Sequence, residues 1–256
     1  MPTGVHRLRI TFAKGEAIKY TSHLDLARAW ERALRRAGVG LAYSGGFNPR
    51  PKLQLAAALP LGHTGETEWL DVRLERPMPV EDFARVLVPV LPAGLTISQV
   101  RQVGLKEPAL QTQVVAAEYR VTVEWHPEFD FGELGRAVEP SSRRAVEGCP
   151  ELVEKVEARI ERVLAAAELE QERRGRRYDL RPLIERLWLE RCPELVEGRA
   201  SGGDVVLGMQ LAAREGATAR PEAVLKALGM DGAFARYHRR RLILTASLGA
   251  SRESAF

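Results

Sequence analysis

The spacing of apolar residues over the first hundred positions restricts the fold of this chain more than any other feature of its sequence. Residues 5–12 and 67–74 alternate apolar and polar side chains, which is the period of a β-strand with one buried face. Residues 22–38 follow the 3.6-residue period of an amphipathic helix. In order, the pattern predicts strands at 5–12, 52–59, 67–74 and 95–103, with helices at 22–38 and 79–90. The order βαββαβ is that of a ferredoxin-like domain.

The same kind of pattern begins again in the second half. Alternation over 119–125 predicts a strand, and a helical period follows over 150–167. Further strands are predicted at 168–174, 178–190, 204–213 and 236–246, and a further helix at 221–229. We therefore expect an α+β fold with two tandem ferredoxin-like (βαββαβ) domains, at residues 1–110 and 111–256. Residues 126–149 show no clear period, and residues 192–199 are interpreted as a lengthened hairpin loop.

Hydropathy and charge predict a cytoplasmic protein with a polyanionic partner. No run approaches the roughly 18 to 20 consecutive apolar residues of a membrane span, so no membrane contact is expected. The first ten residues lack the apolar run of a signal peptide. Lys and Arg number 38 against 34 Asp and Glu, and most of the cations are Arg, whose forked guanidinium suits phosphate. A net charge of +4 is modest, so the placement of the arginines matters more than their number.

The two cysteines lie inside a duplicated peptide. Residues 147–154 and 190–197 are identical at seven of eight positions and contain Cys149 and Cys192. Two copies without a shared surrounding pattern do not make a solenoid, so we interpret them as an insertion. Two thiols cannot complete a closed zinc site, and the sequence has no three-cysteine cluster motif. We expect no disulfide, no metal site and no redox cofactor in this chain.

The first predicted helix has two faces of opposite character. Ser22 is predicted to cap its N-terminus, and Asp25 occupies the capping-box position. One arc is apolar and contains Leu26, Trp30, Ala33, Leu34 and Ala37. The opposite arc is cationic and contains Arg28, Arg32, Arg35 and Arg36. The helix is therefore predicted to bury one side and to present arginines on the other.

A glycine- and proline-rich loop follows this helix, with the sequence Tyr43-Ser-Gly-Gly-Phe-Asn-Pro-Arg-Pro-Lys52. Gly45 and Gly46 allow positive φ angles and expose backbone amides, which suits a phosphate. Phe47 either packs into the core or offers a face on which a base stacks. The residues expected to bind RNA or another anion here are Ser44, Gly46, Phe47, Asn48, Arg50 and Lys52. An ordinary turn is the alternative interpretation of the same loop.

Three side chains are candidates for acid–base catalysis. His23 and Asp25 are two residues apart on a helix, so their side chains diverge, and helix capping and packing are the simpler roles. Asp179 and Arg181 would lie on the same side of a strand, where they can form an ion pair, and Arg181 is also expected to bind RNA or another anion. Arg220 precedes Pro221 at a helix start, where it offers a further anion contact.

Several of these motifs occur together in one known family. They are Ser22-His-Leu-Asp25, Arg35-Arg36, the loop Tyr43–Lys52, Asp179-Leu-Arg-Pro182 and Arg220-Pro221. In this combination the chain resembles the radical-SAM-linked, or radical SAM-associated, bacterial protein family, a domain of unknown function. The resemblance spans most of the chain and is most specific over residues 5–75. Gly45 stands at a position that varies in the family, and the duplicated CPELVE segments depart from its pattern.

The resemblance implies association with a cobalamin-binding radical SAM protein, beside which such domains are encoded or to which they are fused. S-adenosylmethionine, an iron–sulfur cluster and cobalamin are then expected only on the partner. The leading hypothesis is a non-catalytic accessory or substrate-recognition protein that binds RNA through its basic surface. An RNA-modifying or RNA-processing enzyme and a protein-interaction adaptor without nucleic acid are the alternatives.

Overall fold

The first hundred residues form strands and helices in the predicted order. The computed structural model describes residues 6–125, 150–192, 195–196, 199–200 and 203–245. The elements here are β1 (His6–Lys14), α1 (His23–Arg36), β2 (Leu53–Leu55), β3 (Thr64–Leu74), α2 (Val80–Leu87) and β4 (Leu95–Val103). One prediction, a strand over 52–59, is too long. β2 pairs with β3 only at Leu70–Val72, and the beginning of the same β3 edge is taken by another strand.

The second half contains the elements α3 (Leu110–Gln113), β5 (Val114–Trp125), α4 (Pro150–Ala165), β6 (Glu170–Arg173), β7 (Arg176–Asp179), β8 (Ile184–Arg191), β9 (Leu195–Val196), β10 (Arg199–Ala200), β11 (Gly203–Arg214), β12 (Ala217–Thr218), α5 (Pro221–Ala227) and β13 (Ala235–Leu244). β9 and β10 pair antiparallel between β8 and β11, as expected for a lengthened hairpin. The unpatterned segment 126–149 lies outside the described residues, as do Cys149 and parts of the second CPELVE segment.

The strand predicted at 178–190 is wrong. β7 ends at Asp179, residues Arg181–Leu183 form a 3₁₀ turn, and β8 begins at Ile184. Pro182 has no backbone N–H to donate to a ladder, which explains a break at this point. β7 pairs only with β6, in a two-stranded hairpin apart from the main sheet.

In the part of the chain that the structure describes, a mostly antiparallel sheet of nine strands runs through both halves, so the mixed α+β class is confirmed. Its order is β12-β11-β5-β13-β3-β1-β4, with β2 paired to β3 and β8 paired to β11. The last strand, β13, lies antiparallel to β5 and parallel to β3, where His238 is opposite Thr64 and Arg241 is opposite Thr67. The two halves of the chain therefore meet edge to edge along β13 and β3.

Each half has its own apolar core against the sheet. In the first half, Leu8, Ile10 and Phe12 of β1 pack with α1 and α2, and the Trp30 ring meets Phe12 edge-on at 4.9 Å between ring centres. In the second half, α4 and α5 pack against β5, β8 and β11. None of the described helices has both the length and the apolar character that crossing a bilayer requires.

Candidate nucleic-acid interface

The start and the buried face of α1 are as predicted. The backbone N–H of Asp25 donates to Ser22 Oγ at 3.1 Å, and Ser22 Oγ donates to the Asp25 carboxylate at 2.7 Å. The buried positions of the helix are Leu26, Trp30, Ala33 and Leu34. These contacts fix the rotation of α1 about its axis, so the arginine arc faces outward.

The four arginines of that arc are all exposed, but their contacts differ. Arg28 forms an ion pair with Asp25 at 3.0 Å, and Arg35 forms one with Glu31 at 2.7 Å. Arg36 donates to the backbone carbonyl of Val90 at 2.8 Å. Within the described part of the chain, Arg32 makes no hydrogen bond or ion pair. Exposed pairs of this kind contribute about 0–1 kcal/mol, so a phosphate can replace the carboxylate at little cost.

The loop after α1 is an ordered hairpin-like turn. Ser44 N donates to the Arg50 carbonyl at 2.8 Å, and Arg50 N donates to Ser44 Oγ at 3.0 Å. Tyr43 and Pro51 form an isolated antiparallel bridge next to them. Gly46 has a φ of 106°, whereas Gly45 does not adopt positive φ, contrary to the expectation for both glycines. The loop is therefore tied at its base and turns at Gly46.

Phe47 stands at the tip of this loop with its side chain in solvent. Its relative exposure is 105%, the highest of the large apolar side chains that the structure describes. The alternative in which Phe47 packs into the core is wrong. Asn48, Arg50 and Lys52 are exposed beside it. An exposed aromatic ring among cations on a tied loop is an arrangement on which a nucleobase can stack.

A second exposed aromatic residue, not predicted from the sequence, lies just before the N-terminus of α1. Tyr20 is 75% exposed, and Lys19 Nζ lies 5.2 Å from the centre of its ring. Leu24, in the first turn of α1, and Leu61 are also exposed. α1 has 14 residues, which at about 1.5 Å each make a helix of about 21 Å. In the sequence, exposed aromatic side chains precede and follow this arginine arc, at Tyr20 and Phe47.

Hydrogen bonds and burial at the start of α1 determine the state of the catalytic candidates His23 and Asp25. Hydrogen bonds from Ser22 and Arg28 lower the pKa of Asp25. His23 is partly buried, and its Nδ1 has no hydrogen-bond partner among the described residues. Burial lowers the pKa of His23, and the Arg239 guanidinium lowers it further. Both effects favour the neutral imidazole, and no carboxylate of the described residues pairs with its Nδ1.

The lowered pKa of His23 gives a prediction for stability. Below about pH 6.5, the ordinary pKa of histidine, the unfolded chain binds a proton at His23 that the folded chain does not bind. Stability is therefore lost as the pH falls through and below that value. Thermal unfolding of wild type and His23→Gln, compared at about pH 7.5 and about pH 5.5, should show a smaller acid loss in the variant. An equal loss in both proteins would contradict the prediction.

The predicted ion pair between Asp179 and Arg181 does not form. Asp179 Oδ1 instead accepts from the backbone amides of Leu169 at 2.8 Å and Arg181 at 2.9 Å. The guanidinium of Arg181 donates to the carbonyls of Leu164 and Ile184. Asp179 ends a strand rather than sharing one with Arg181, which explains the difference. The arginine is held by backbone contacts in the second half.

Arg220 is exposed at the N-cap of α5, the helix start at which the sequence placed it. Among the described residues, no hydrogen bond or ion pair connects Asp179, Arg181 or Arg220 to α1 or to the 43–52 loop. The sequence-predicted binding residues therefore lie on three parts of the described chain, namely α1, the 43–52 loop and positions in the second half.

A buried ion pair at the junction of β13 and β3 was not predicted. Arg239 of β13 donates to both carboxylate oxygens of Glu68 on β3, and their side chains are 2% and 5% exposed. The remaining guanidinium donors reach the carbonyls of Ala58 at 3.0 Å and Ala57 at 3.4 Å. The Tyr119 hydroxyl contacts the same guanidinium, and burial raises the pKa of this tyrosine. This network joins the two halves of the chain.

Two further buried side chains, Lys14 and His63, lie at the same junction. Lys14 is 0% exposed, and its Nζ donates to the carbonyls of Lys19 at 2.9 Å and Thr21 at 3.1 Å. Burial lowers the pKa of Lys14, while Glu68 opposes that effect. His63 Nε2 lies 3.0 Å from Glu222 Oε1 of α5. These contacts add to the junction between the halves.

The positions of Lys14 and Glu68 within the apolar–polar alternation of their strands could have revealed part of this junction. Lys14 follows Leu8, Ile10 and Phe12 at two-residue intervals, on the apolar face of β1. Glu68 precedes Leu70, Val72 and Leu74 in the same way on β3. A charged residue in phase with a strand's apolar face indicates a buried, paired charge.

The comparisons with known proteins identify a family but no activity. No curated protein matches this chain. Matching solved structures include the archaeal box H/ACA sRNP Nop10-Cbf5 complex, at 14% identity and a TM-score of 0.40, and a Cbf5-Nop10-Gar1 complex, at 12% and 0.42. Each match covers 93% of this chain but 48% of the other, so the chain spans about half their length. An unknown protein from Galdieria sulphuraria matches at 12% identity and a TM-score of 0.25, over 92% of this chain and 99% of that one.

The match to a protein family is extensive. Residues 7–221 fit the family described as an uncharacterized protein conserved in bacteria, DUF2344. This range contains α1, the 43–52 loop and most of the nine-stranded sheet. The chain therefore belongs to this family of proteins conserved in bacteria.

Proposed function

We propose that this chain is a non-catalytic accessory protein that binds RNA through α1 and the 43–52 loop and presents it to a radical SAM enzyme. The observation that carries the proposal is the fully exposed Phe47 ring on a loop tied by hydrogen bonds at its base. Solvating a large apolar ring on an ordered loop is unfavourable unless a partner covers it. A stacked base covers such a ring without demanding a particular sequence.

The charges around Phe47 support a nucleic-acid partner over an apolar one. Within the described residues, Arg32, Arg50 and Lys52 form no ion pair through their side chains, and all three are exposed. Phosphates on a strand that passes along α1 would neutralise them. Tyr20 supplies a further ring at the far end of the helix. Single-stranded RNA fits this arrangement because its bases are free to stack on separate rings.

The proposal includes the expected pair of ferredoxin-like units, with the first at 1–110 and the second at 111–256. The strand pairing supports it, since the order is β4-β1-β3-β2 in the first half and β13-β5-β11-β8 in the second. The equivalent strands thus take equivalent places in both halves. Residue 110 is where α3 begins, after β4 has ended at Val103.

The radical SAM partner is supported by the motif resemblance over residues 22–52, 179–182 and 220–221. S-adenosylmethionine, the iron–sulfur cluster and cobalamin would all be held by that partner. A binding role is favoured over catalysis because the Asp25 carboxylate accepts from Ser22 and Arg28 at the start of α1, and Asp179 caps a turn. Both carboxylates are engaged by the chain itself, and no carboxylate among the described residues forms a hydrogen bond with His23 Nδ1.

Binding of a fluorescent single-stranded RNA, followed by anisotropy over a salt series, tests the proposal. Phe47→Ala should weaken binding by about 1–3 kcal/mol, the usual value of one base–aromatic stack. The logarithm of affinity should fall with the logarithm of salt at a slope of about −0.7 for each phosphate contact, so three free cations give about −2. Arg32→Gln should make that slope shallower by about 0.7.

Phe234→Ala is the matched control, because Phe234 is 63% exposed in the second half and should not affect RNA binding. No measurable RNA affinity of the wild type at low salt would overturn the proposal. Conversion of RNA by the purified chain alone would instead identify an enzyme. Co-purification with the radical SAM protein that resists nuclease, without RNA affinity, would identify a protein adaptor.

A further inference from the structure

A cleft in the second half is lined by arginines that the proposed RNA site does not use. It has a volume of about 760 Å³ and lies between the β6–β7 hairpin and the turn that joins β11 to β12. Arg173, Arg174 and Arg176 line it on the hairpin side. Gly216 and Thr218 line it on the turn side. The volume falls within the range of about 300–1,000 Å³ that small-molecule sites occupy.

These arginines are available to a ligand. Among the described residues, Arg173, Arg174 and Arg176 form no side-chain hydrogen bond and no ion pair. Their neighbour Arg177 differs, because it pairs with Glu170 at 3.0 Å and does not line the cleft. Three guanidinium groups around one concave surface repel each other, and an anion between them relieves that repulsion.

The turn of the hairpin contains a strained arginine. Arg174 has a φ of 52° and Gly175 a φ of 74°, the two positive values of a two-residue β-hairpin turn. Arg174 is the only non-glycine residue with positive φ in the described chain. Asn, Asp or Gly would occupy this position with less strain. Backbone strain of this kind clusters at ligand-binding positions, where the side chain has a task that offsets the cost.

The remaining lining groups indicate what kind of anion fits. The Tyr178 ring is partly buried against the core and borders the cleft. Asp179 also lines it; its Oδ1 accepts two backbone amides, and its Oδ2 accepts no hydrogen bond from the described residues. A ring face suits a base, and a free carboxylate oxygen suits a sugar hydroxyl.

We propose that this cleft binds a nucleoside monophosphate group. The phosphate lies among Arg173, Arg174 and Arg176, the base lies against Tyr178, and the ribose hydroxyls donate to Asp179. The group comes either from a free nucleotide or from the phosphorylated 5′ end of an RNA. The inference stands on the cleft alone and does not depend on RNA binding at α1.

Calorimetric titration with AMP, dAMP, adenosine and inorganic phosphate tests this site on the full chain. We expect AMP to bind most tightly, dAMP more weakly because a hydroxyl is lost, and adenosine not at all. Arg174→Asn should weaken AMP binding by about tenfold to 100-fold, the effect of losing one charge-assisted contact. Because Asn favours positive φ, this variant should fold at least as well as wild type.

Arg177→Gln is the matched control and should bind AMP as wild type does. A 5′-phosphorylated RNA and its 5′-hydroxyl counterpart distinguish the sources: preference for the phosphorylated strand, lost in Arg174→Asn, identifies the RNA end, and no preference identifies the free nucleotide. No binding of AMP, of phosphate or of either RNA end at the cleft would overturn the proposal. Equal weakening by Arg174→Asn and Arg177→Gln would also overturn it, since a diffuse charge effect would then explain binding.

Discussion

Glu68→Ala is expected to lower the free energy of unfolding by about 3–5 kcal/mol, because it leaves the Arg239 guanidinium buried without its carboxylate. Among the described residues, the guanidinium keeps its contacts to the Ala57 and Ala58 carbonyls and to Tyr119. Lys14 loses the opposing charge of Glu68 at the same time. Urea denaturation followed by far-UV circular dichroism measures the loss.

The control for this variant is Asp82→Ala, which breaks the exposed pair between Asp82 and Arg85 on α2. It should change stability by less than about 1 kcal/mol. The double variant Glu68→Met with Arg239→Met should recover most of the lost stability, since neither charge remains buried alone. A Glu68→Ala effect no larger than that of Asp82→Ala would show that the junction is not held by this pair.

Asp71→Ala is expected to destabilise the chain by a comparable amount, about 3–5 kcal/mol or more, because two buried arginines share this carboxylate. Arg7 and Arg9 of β1 both donate to Asp71 of β3, and both are 2% exposed. Arg7 has further acceptors in the carbonyls of Glu107 and Pro108. Differential scanning calorimetry gives the loss as a fall in melting temperature.

Glu107→Gln serves as the comparison for Asp71→Ala. The Glu107 carboxylate lies 3.9 Å from Arg9 and is 39% exposed, so its removal should cost little. Asp71→Asn should fall between the two variants, since the amide keeps one hydrogen-bond acceptor but not the charge. If Asp71→Ala and Glu107→Gln had equal effects, the buried arginines would have to find other partners.

The local elements could be predicted because their causes are local. β4 was predicted at its observed bounds, and α1 within two residues, because a serine cap and an apolar stripe define that helix from within. The exposed arginines of α1 follow from the same stripe. The base of the 43–52 loop is held by the Ser44 side chain and by the bridge between Tyr43 and Pro51, and these residues also lie close together in sequence.

The burial of Arg7, Arg9 and Arg239 could not be predicted because its causes are distant in sequence. Arg7 and Arg9 occupy the polar phase of β1, which in isolation indicates solvent. Arg7 is buried because the chain near Glu107 and Pro108 crosses that face of the sheet and accepts its hydrogen bonds. Arg9 donates to Asp71 of β3 and lies over the Trp69 ring. In the sequence, Arg239 is likewise one of three consecutive arginines. It is buried because β13 pairs with β3 and brings it to Glu68.

The parallel contact between β13 and β3 has a consequence for synthesis of the protein on the ribosome. Thr64–Thr67 of β3 pair with residues 238–241, which are synthesised about 170 positions later. This edge of β3 therefore stays unpaired until β13 has been made. Until then the emerging first half exposes an unpaired strand edge, which can pair with another chain, and it holds Glu68 without Arg239. A nascent chain stalled before Ala235 should therefore be sensitive to protease and prone to aggregate. Completion of the last strand is the step that ends this vulnerability.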